Sequence, residues 1–227
     1  MVDISNLNKK FEPIDNKIIK NFIETNKLSI SIRKKIIDYI GSAVILLLLA
    51  PLMLLIALAI KYDSKGPVFF KQRRNGKNNK EIIIYKFRSM IWIKDEIQIV
   101  QAIENDQRFT KIGKFLRKTS FDELPQFINV LQGRMSIVGP RPHAIAHNDY
   151  YKQCIENYMD RQQVKPGITG WAQVNGYRGE TNQIIKMKNR VDYDRYYIEN
   201  WSLKFDISII IKTIILVIKD IKDIKEN

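Results

Sequence analysis

An uninterrupted apolar run near the N-terminus places the strongest constraint on how this chain can fold. It extends from Ile36 to Ile60 and reads IIDYIGSAVILLLLAPLMLLIALAI. As a straight helix, about 25 residues would be roughly 37 Å long, enough to cross the hydrocarbon core of a bilayer. The run begins too far along the chain for a removable signal peptide and lacks a small-residue cleavage site. The sequence therefore predicts a membrane-inserted element.

The flanks and the middle of this run predict that it enters the membrane and returns. Positive charge resists translocation, so basic residues on both sides favour a cytoplasmic position for both ends. Pro51 lies near the middle, where its missing N–H and its ring should kink or break a helix at Ala50–Pro51. We expect a re-entrant hairpin; the alternatives are a kinked spanning helix and a buried helix of a soluble protein. The flanking basic residues are Arg33, Lys34, Lys35, Lys61, Lys65, Lys71, Arg73 and Arg74.

Composition limits the rest of the chain. The 227 residues, 45% of them hydrophobic, can bury one sizeable core. A net charge of +14 indicates an anionic partner, which could be nucleic acid, an anionic membrane or a phosphorylated substrate. The sequence contains no RRM, OB or helix-turn-helix pattern, so we expect no nucleic acid partner. The single cysteine, Cys154, fits a reducing cytosolic compartment.

The pattern after the apolar run predicts an α+β fold that is mainly helical, with one small β-hairpin. The runs PVFFKQ and EIIIYKF are joined by the turn-forming RNGKNN, which is typical of a hairpin. Helices are predicted over Ile91–Ile103, over Lys111–Arg117 and in a segment ending near Gly133. A short strand is predicted in MSIVGPRP and a helix in HAIAHNDYYKQCIENYMD, and VKPGITGWAQVNGYRGET is predicted to be a loop.

The last third is predicted to be helical, and its final helix is amphipathic. Isoleucines from Ile207 to Ile221 recur at three- and four-residue spacing, with lysines elsewhere around the helix. Packing against the protein core explains this pattern, and so does an interfacial position on the membrane.

Two adjacent carboxylates, Asp122 and Glu123, stand in the segment TSFDELPQ just after the basic run KIGKFLRK. One interpretation is structural: Ser120 and Glu123 match a capping box, or Asp122 is itself the N-cap, ahead of Pro125 in the first turn. The other is chemical, because a carboxylate can attack phosphorus or ligate Mg2+. Either step needs cations to offset the phosphate charge. The nearby candidates are Arg117, Arg134 and Arg141.

Several segments, taken in order, give the chain a resemblance to a known family. They are the basic-flanked run around Pro51, GPVFFKQRRNGK, YKFRSM, DQRFTKIGKFLRKTSFDELPQFINVLQGRMSIVGPRP and KPGITGWAQVNG. In this order and spacing, from about Arg33 to the C-terminus, the chain resembles the bacterial sugar transferases of the monotopic polyprenyl-phosphate phosphoglycosyl transferase type. These enzymes start the assembly of capsule, exopolysaccharide and related glycans.

The resemblance implies a two-step reaction. Asp122 would attack the β-phosphate of a UDP-sugar and release UMP, and undecaprenyl phosphate would then attack the aspartyl-phosphosugar. Asp122 and Glu123 would be the catalytic pair and the ligands of a Mg2+ cofactor. In the family the apolar run is a re-entrant hairpin, usually broken at a Ser-Pro pair that is Ala50–Pro51 here. The residues expected to bind substrate phosphates are Arg117, Arg141, Lys86 and Arg88; His143 is a further candidate, with a structural role as its alternative.

The resemblance also implies a domain order, a location and a substrate. We expect a polar lead-in over 1–30, the hairpin over 31–62, a cytosolic catalytic domain over 63–200 and an amphipathic helix over 201–227. The protein would act at the cytoplasmic face of the bacterial inner membrane. NGYRGET resembles the undecaprenyl-phosphate glucose phosphotransferases, which favours UDP-glucose over UDP-galactose or an N-acetylated sugar. A non-catalytic membrane scaffold is the rival function, and the sequence does not distinguish a monomer from a homo-oligomer.

Overall fold

The computed structural model describes residues 27–92, 106–179 and 183–225, and the structural statements below concern those ranges. The predicted lead-in over 1–30 and the predicted helix over Ile91–Ile103 lie almost entirely outside the described residues. The described part is mainly helical and includes a small antiparallel hairpin, as predicted.

The apolar run lies inside one long helix, α1, which spans Lys27–Asp63. Its 37 residues would extend about 55 Å if straight. From Ile32 to Asp63 it is long and apolar enough, by length and composition, to cross a membrane. Large apolar side chains are exposed along its middle turns, so none of the described residues covers this surface. They include Val44, Leu47, Leu48, Leu54, Leu55 and Leu58.

The predicted break of the helix at Ala50–Pro51 is wrong as an interruption of helical structure. Every residue from 27 to 63 is helical, including Pro51. A proline removes one backbone hydrogen bond and crowds the preceding turn, which bends a long helix without ending it. Ending the helix would leave further N–H and C=O groups unpaired, which is costly in apolar surroundings. A re-entrant course of this continuous helix stays a prediction.

The predicted hairpin is confirmed as strands β1, Phe69–Asn75, and β2, Glu81–Phe87. They pair antiparallel, with Gln72 opposite Ile84. Side chains alternate between the two faces of a strand, so Gln72, Arg74 and Lys86 share one face of the hairpin. Buried Gln72 and Ile84 identify this face as the one that packs on the domain.

The carboxylate segment lies between two short helices. Helix α2 spans Lys111–Thr119, two residues longer than predicted, and α3 spans Gln126–Leu131. A 3-10 helix, Phe121–Glu123, joins them. Buried Asn129 of α3 holds the free edge of β2: its Nδ2 donates to the carbonyl of Ile83, and its Oδ1 accepts from the backbone N–H of Tyr85.

A second, two-stranded sheet follows. Strand β3, Ser136–Val138, was predicted; it pairs parallel with β4, Gly167–Thr169, which the loop prediction for this segment missed. The glycines that hid β4 are required by close approach, because a Cβ at Gly167 would lie 2.1 Å from the backbone N of Gly139. Between the strands, the single predicted helix is divided into α4, Ile145–Cys154, and a 3-10 helix, Tyr158–Gln163.

The described chain ends in helices α5, Trp171–Val174, α6, Ile184–Glu199, and α7, Leu203–Lys225. Both interpretations of the final helix have support. Ile209 of α7 is fully buried in the main core with Val138 and Tyr197. Its other side exposes an apolar stripe made of Ile207, Ile211, Ile214, Ile215 and Ile218.

Candidate active site

The two carboxylates lie in the turn where α2 ends. Ser120 adopts a left-handed conformation, with φ 63°, and closes α2 by donating its backbone N–H to the carbonyl of Arg117. This reversal directs the following residues into the protein. Asp122 is 5% exposed and Glu123 is 8% exposed. Carboxylates are seldom buried unless they are paired, so their partners define the site.

Neither capping interpretation of the carboxylates is correct. No side chain caps the 3-10 helix or α3, and α3 begins at Gln126 with Pro125 before it. The hydroxyl of Ser120 accepts a hydrogen bond from Nη2 of Arg178. Tertiary contacts have therefore replaced the local pattern that the S-x-x-E spacing predicted.

Glu123 is held between two cations. Lys86 Nζ lies 2.7 Å from Glu123 Oε1, and Arg141 Nη1 lies 3.0 Å from Oε2 while Nη2 donates to Oε1. Burial alone would raise the pKa of Glu123, but the charges of Arg141 and Lys86 outweigh it and hold that pKa well below its usual range. Glu123 therefore stays ionised and fixes the direction of both cations.

Asp122 is less engaged than its neighbour. Its Oδ2 lies 3.8 Å from Lys86 Nζ, and no side chain in the described ranges donates a hydrogen bond to it. Burial raises the pKa of Asp122, Lys86 lowers it, and the negative charge of Glu123 raises it further; the net direction is upward. A raised pKa makes a carboxylate a better base and nucleophile. The two adjacent carboxylates therefore differ. Two cations balance the charge of Glu123, whereas Asp122 is available to react with a substrate.

The other predicted phosphate-binding residues are placed differently. Arg117 is exposed, and its guanidinium lies over the ring of Phe109 at 4.7 Å; its charge helps to lower the pKa of Asp122 without an ion pair between them. Arg88 is buried and donates to the carbonyls of Ser64, at 2.8 Å, and Lys65 at the end of α1. These contacts give Arg88 a role in holding α1, and its predicted role toward phosphate stays without a supporting contact.

Two arginines near the carboxylates were not predicted as site residues. Arg178 reaches Ser120 from the NGYRGET segment, whose sequence predicts only the choice of sugar. Arg74 is predicted only as a basic flank of the apolar run; its Nη1 lies 3.5 Å from the carbonyl oxygen of Pro142, and the charge of Arg141 acts on it. Arg74 sits two residues past the predicted end of β1, so the alternation of a longer strand would have placed it on the inner face.

A buried network stands behind Arg141 and accounts for His143. Arg161 Nη2 donates to the carbonyl of Arg141 at 2.6 Å, and Arg161 Nε donates to Asp194 Oδ2 at 3.0 Å. Arg161 Nη1 also contacts Nε2 of buried His143 at 2.9 Å. The ring of His143 also pairs with the hydroxyl of Tyr158 at 2.6 Å, so its contacts are with other buried side chains. The structural alternative for His143 therefore fits these contacts.

The carboxylate pair fits a Mg2+ ion whose remaining ligands come from substrate phosphates. Mg2+ is often held by one or two carboxylates together with substrate phosphates. The described residues contain no cluster of three or more His, Cys, Asp or Glu side chains suited to a metal. Asp122 has coordination capacity to spare, whereas both oxygens of Glu123 already accept from cations. Asp122 is the better first ligand, with Glu123 adjacent.

Comparison with known proteins gives one consistent relationship. The bacterial sugar transferase family matches residues 29–220. The UDP-glucose:undecaprenyl-phosphate glucose-1-phosphate transferase of Escherichia coli (strain K12) is 56% identical over 181 residues, which are 80% of this chain and 39% of that protein. The enzyme of the same name from Caulobacter vibrioides is 45% identical, over 83% of this chain and 70% of its own length.

A third relative is named for a different sugar. The UDP-N-acetylgalactosamine-undecaprenyl-phosphate N-acetylgalactosaminephosphotransferase of Aeromonas hydrophila is 43% identical, over 80% of this chain and 42% of its own length. The chain thus spans about two-fifths of the length of the first and third relatives. Because the family match covers most of the residues, including the carboxylate pair and its cations, the chain belongs to the bacterial sugar transferase family.

Proposed function

We propose that this protein transfers a sugar-1-phosphate from a UDP-sugar to undecaprenyl phosphate and releases UMP. The observation that carries the proposal is that the two buried carboxylates differ in pKa and in their bonding to cations. Asp122 has a raised pKa, accepts no side-chain hydrogen bond in the described ranges and lies 3.8 Å from Lys86, whereas Glu123 binds both Lys86 and Arg141 directly. This arrangement suits a nucleophile next to bound phosphate charge.

In the first step, an oxygen of Asp122 attacks the β-phosphorus of the UDP-sugar. The bond from that phosphorus to the bridging oxygen breaks, and UMP leaves with the electron pair. In the second step, an oxygen of undecaprenyl phosphate attacks the aspartyl-linked phosphorus, the bond to Asp122 breaks, and the carboxylate is restored. The product is a polyprenyl-diphosphate sugar, and no proton or redox partner is required.

The cations serve both steps through charge. Lys86 and Arg141 would face the transferring phosphate from the side of Glu123, and Arg117 and Arg178 would add positive charge at the mouth of the turn. A bound Mg2+, held by Asp122 with Glu123 beside it, supplies further neutralisation of phosphate charge. The proposed role for Arg88 is indirect, through its position two residues from Lys86.

A membrane position follows from the lipid substrate. We propose that α1 enters the cytoplasmic leaflet and returns, and that the exposed apolar stripe of α7 lies on the same surface. Support comes from the two ends of α1, which contact one domain: Asp38 accepts from Ile137, and Ile60 packs against Phe87. A helix with both ends on one domain is hard to reconcile with ends on opposite sides of a bilayer.

The topology is tested with accessible cysteines. Cys154 is replaced by serine, and Arg33→Cys and Tyr62→Cys are introduced singly; Arg33 and Tyr62 are both exposed. Both cysteines are expected to react with a membrane-impermeant reagent only from the cytoplasmic side. Reaction of the Arg33 site from the outer side would show a spanning helix.

The reaction is tested with Asp122→Asn, which keeps the shape of the side chain and removes the nucleophile. The variant is expected to fold and to lose UMP release from UDP-glucose by several orders of magnitude. Asp149→Asn is the matched control, because Asp149 is 62% exposed and pairs only with Lys152. Wild-type rates in a folded Asp122→Asn protein would contradict Asp122 as the nucleophile, whereas absence of UMP release from the folded wild type would support the rival scaffold function.

Glucose is the proposed sugar, and the pathway is exopolysaccharide, capsule or a related glycan. Relatives at 45–56% identity are named for UDP-glucose, which agrees with the NGYRGET segment. The relative named for N-acetylgalactosamine keeps a second sugar class in view. A panel of UDP-sugars, each assayed for UMP release with undecaprenyl phosphate and Mg2+, decides between them.

A further inference from the structure

Arg74 is the one basic group on the inner face of the hairpin that the proposed reaction does not use. Its Nε donates to Gln72 Oε1 at 3.0 Å, its Nη2 donates to the same oxygen, and its Nη1 lies 3.5 Å from the carbonyl oxygen of Pro142. Gln72 is itself 8% exposed. The guanidinium is therefore held in a fixed direction by two neutral acceptors, one of them adjacent in sequence to Arg141.

The charge of Arg74 is not balanced. Two other cations of the site have a carboxylate partner: Lys86 and Arg141 both form ion pairs with Glu123. In the described ranges no carboxylate forms an ion pair with Arg74, although the group is only partly exposed. Burial and the neighbouring charge of Arg141 lower the pKa of Arg74 to about 10, against a weaker opposite effect of Glu123. Arg74 remains charged at neutral pH, at an energetic cost.

A fixed cation kept beside another cation is favourable only when an anion joins them. Two guanidiniums side by side present several N–H donors in one direction, which matches the oxygens of a phosphate group. An exposed arginine would relieve the repulsion by turning to solvent. Arg73, the preceding residue in the chain, lies at the surface: its side chain is 75% exposed, and it pairs with Glu81.

We propose that Arg74, oriented by Gln72, binds a phosphate group of a reacting substrate next to Arg141. This inference rests on the proposed function and adds a residue to it. The same chemistry is offered by two sources, the phosphate that leaves with UMP and the phosphate of the polyprenyl acceptor. In the first case Arg74 stabilises the leaving group, and in the second it positions the attacking oxygen.

Steady-state kinetics separates the two sources, because the two half-reactions are independent in a double-displacement mechanism. The variants are Arg74→Gln, Arg74→Lys and the matched control Arg73→Gln. Arg74→Gln is expected to lower kcat/KM for one substrate by about 10- to 100-fold, the usual effect of losing a hydrogen bond to a charged group. Arg74→Lys keeps the charge without the fork and is expected to lose less, and Arg73→Gln is expected to match the wild type.

The substrate that responds identifies the phosphate. A fall for UDP-glucose alone assigns Arg74 to the nucleotide, and a fall for undecaprenyl phosphate alone assigns it to the acceptor. Values for both substrates within twofold of the Arg73→Gln control overturn the proposal, as does an equal fall for both that accompanies a lower melting temperature.

A binding measurement keeps this test apart from the test of the reaction. UDP-glucose is titrated calorimetrically into Asp122→Asn protein with and without Arg74→Gln, so that no turnover is needed. Weaker binding in the double variant supports an assignment to the nucleotide even if UMP release has failed in the wild type. Equal binding, combined with an unchanged kcat/KM for undecaprenyl phosphate, rejects Arg74 while leaving the reaction untouched.

Discussion

At its N-terminal end α1 is held by charged and polar side chains, whereas at its C-terminal end it is held mainly by apolar packing. Near the N-terminal end, Asp38 Oδ1 accepts from the backbone N–H of Ile137 at 2.9 Å and from the hydroxyl of Ser136 at 3.0 Å. Lys34 Nζ lies 2.7 Å from Asp206 Oδ2. These groups are buried or half-buried, so this attachment depends on complete pairing.

The C-terminal end is attached by a different mixture. Ile56 and Ile60 are buried in a cluster with Phe87 and Leu116. Arg88 adds hydrogen bonds to the carbonyls of Ile60 and Ser64 at this end, where helix carbonyls have few partners within the helix. Apolar packing tolerates small changes of shape better than a buried ion pair tolerates the loss of one partner.

Each attachment of α1 lies close in sequence to a cation that binds Glu123, so both attachments are connected to the site. Ile137 precedes Arg141 by four residues, and Arg88 follows Lys86 by two. Both of these cations bind Glu123. Short stretches of chain therefore connect both ends of α1 to the cations that bind Glu123: Ile137 to Arg141 on one side, and Phe87 and Arg88 to Lys86 on the other.

Of the substitutions at the two ends of α1, replacement of Asp206 is expected to lower the free energy of unfolding most. Its carboxylate accepts from Lys34, from the hydroxyl of Tyr197 at 2.7 Å and from Nε1 of Trp201 at 3.1 Å. Asp206→Ala removes the anion that pairs with the half-buried charge of Lys34 and the acceptor of the Trp201 N–H, which should cost about 3–5 kcal/mol. Denaturant unfolding in mixed micelles measures the change, with Asp149→Ala as the surface control. A loss below 1 kcal/mol would show that the polar end contributes little.

Replacing Arg88 is expected to have an intermediate effect. Arg88→Gln removes charged donors from the carbonyls of Ser64 and Lys65, which should cost about 1.5–3 kcal/mol. Because Lys86 is two residues away, UMP release should also fall. The unfolding titration is repeated with Arg73→Gln as the control. Normal stability combined with lost activity would instead favour the predicted role of Arg88 at the phosphate.

A small change in the apolar attachment should have a small effect. Ile60→Val removes one methylene from a side chain that is 2% exposed, which should cost about 0.5–1.5 kcal/mol. The same substitution at Ile40, which is 61% exposed on the same helix, is the control and should be neutral in micelles. Equal effects at both positions would mean that contact with the domain does not determine the stability of the C-terminal end.

The sequence was sufficient for features that depend on neighbouring residues. Alternation predicted the hairpin, periodicity predicted α7, and the resemblance selected Asp122, Glu123, Lys86 and Arg141, which the fold brings together. In each case the signal lies within one element or one motif.

Contacts between distant segments explain what was missed. Arg178 and Ser120 are 58 positions apart, and nothing in either segment indicates the other. Arg88 donates to a carbonyl at the end of α1, 24 positions earlier in the chain, a contact that the segment YKFRSM does not indicate; its role toward phosphate stays a prediction. The capping box failed for the same reason, because a distant cation was available to each of its members. Local sequence patterns indicate candidate residues, whereas contacts between distant segments determine which groups those residues bind.

Acid titration tests Glu123, the carboxylate that binds both cations near the attachments of α1. Glu123 has a folded-state pKa well below its ordinary value of 4.5, so its ionised form stabilises the fold above that pH, and this stability is lost as the pH falls below it. Asp122 has a pKa raised above its ordinary value of 3.8, so its nucleophilic form is lost at a higher pH than that value. The two carboxylates should therefore titrate in separate stages.

Lowering the pH is expected to reduce the rate of UMP release before it reduces stability. Protonation of Asp122 removes the nucleophile while Lys86 and Arg141 are still held by Glu123, so the protein should remain folded but slow. Further acidification then protonates Glu123 and releases both cations at once. Rate and tryptophan fluorescence are measured over the same pH series, with Glu123→Gln as the comparison. That variant should lose part of its stability at neutral pH and show a weaker acid dependence of unfolding, because its side chain no longer titrates. Simultaneous loss of rate and fold in the wild type would contradict the separate roles of the two carboxylates.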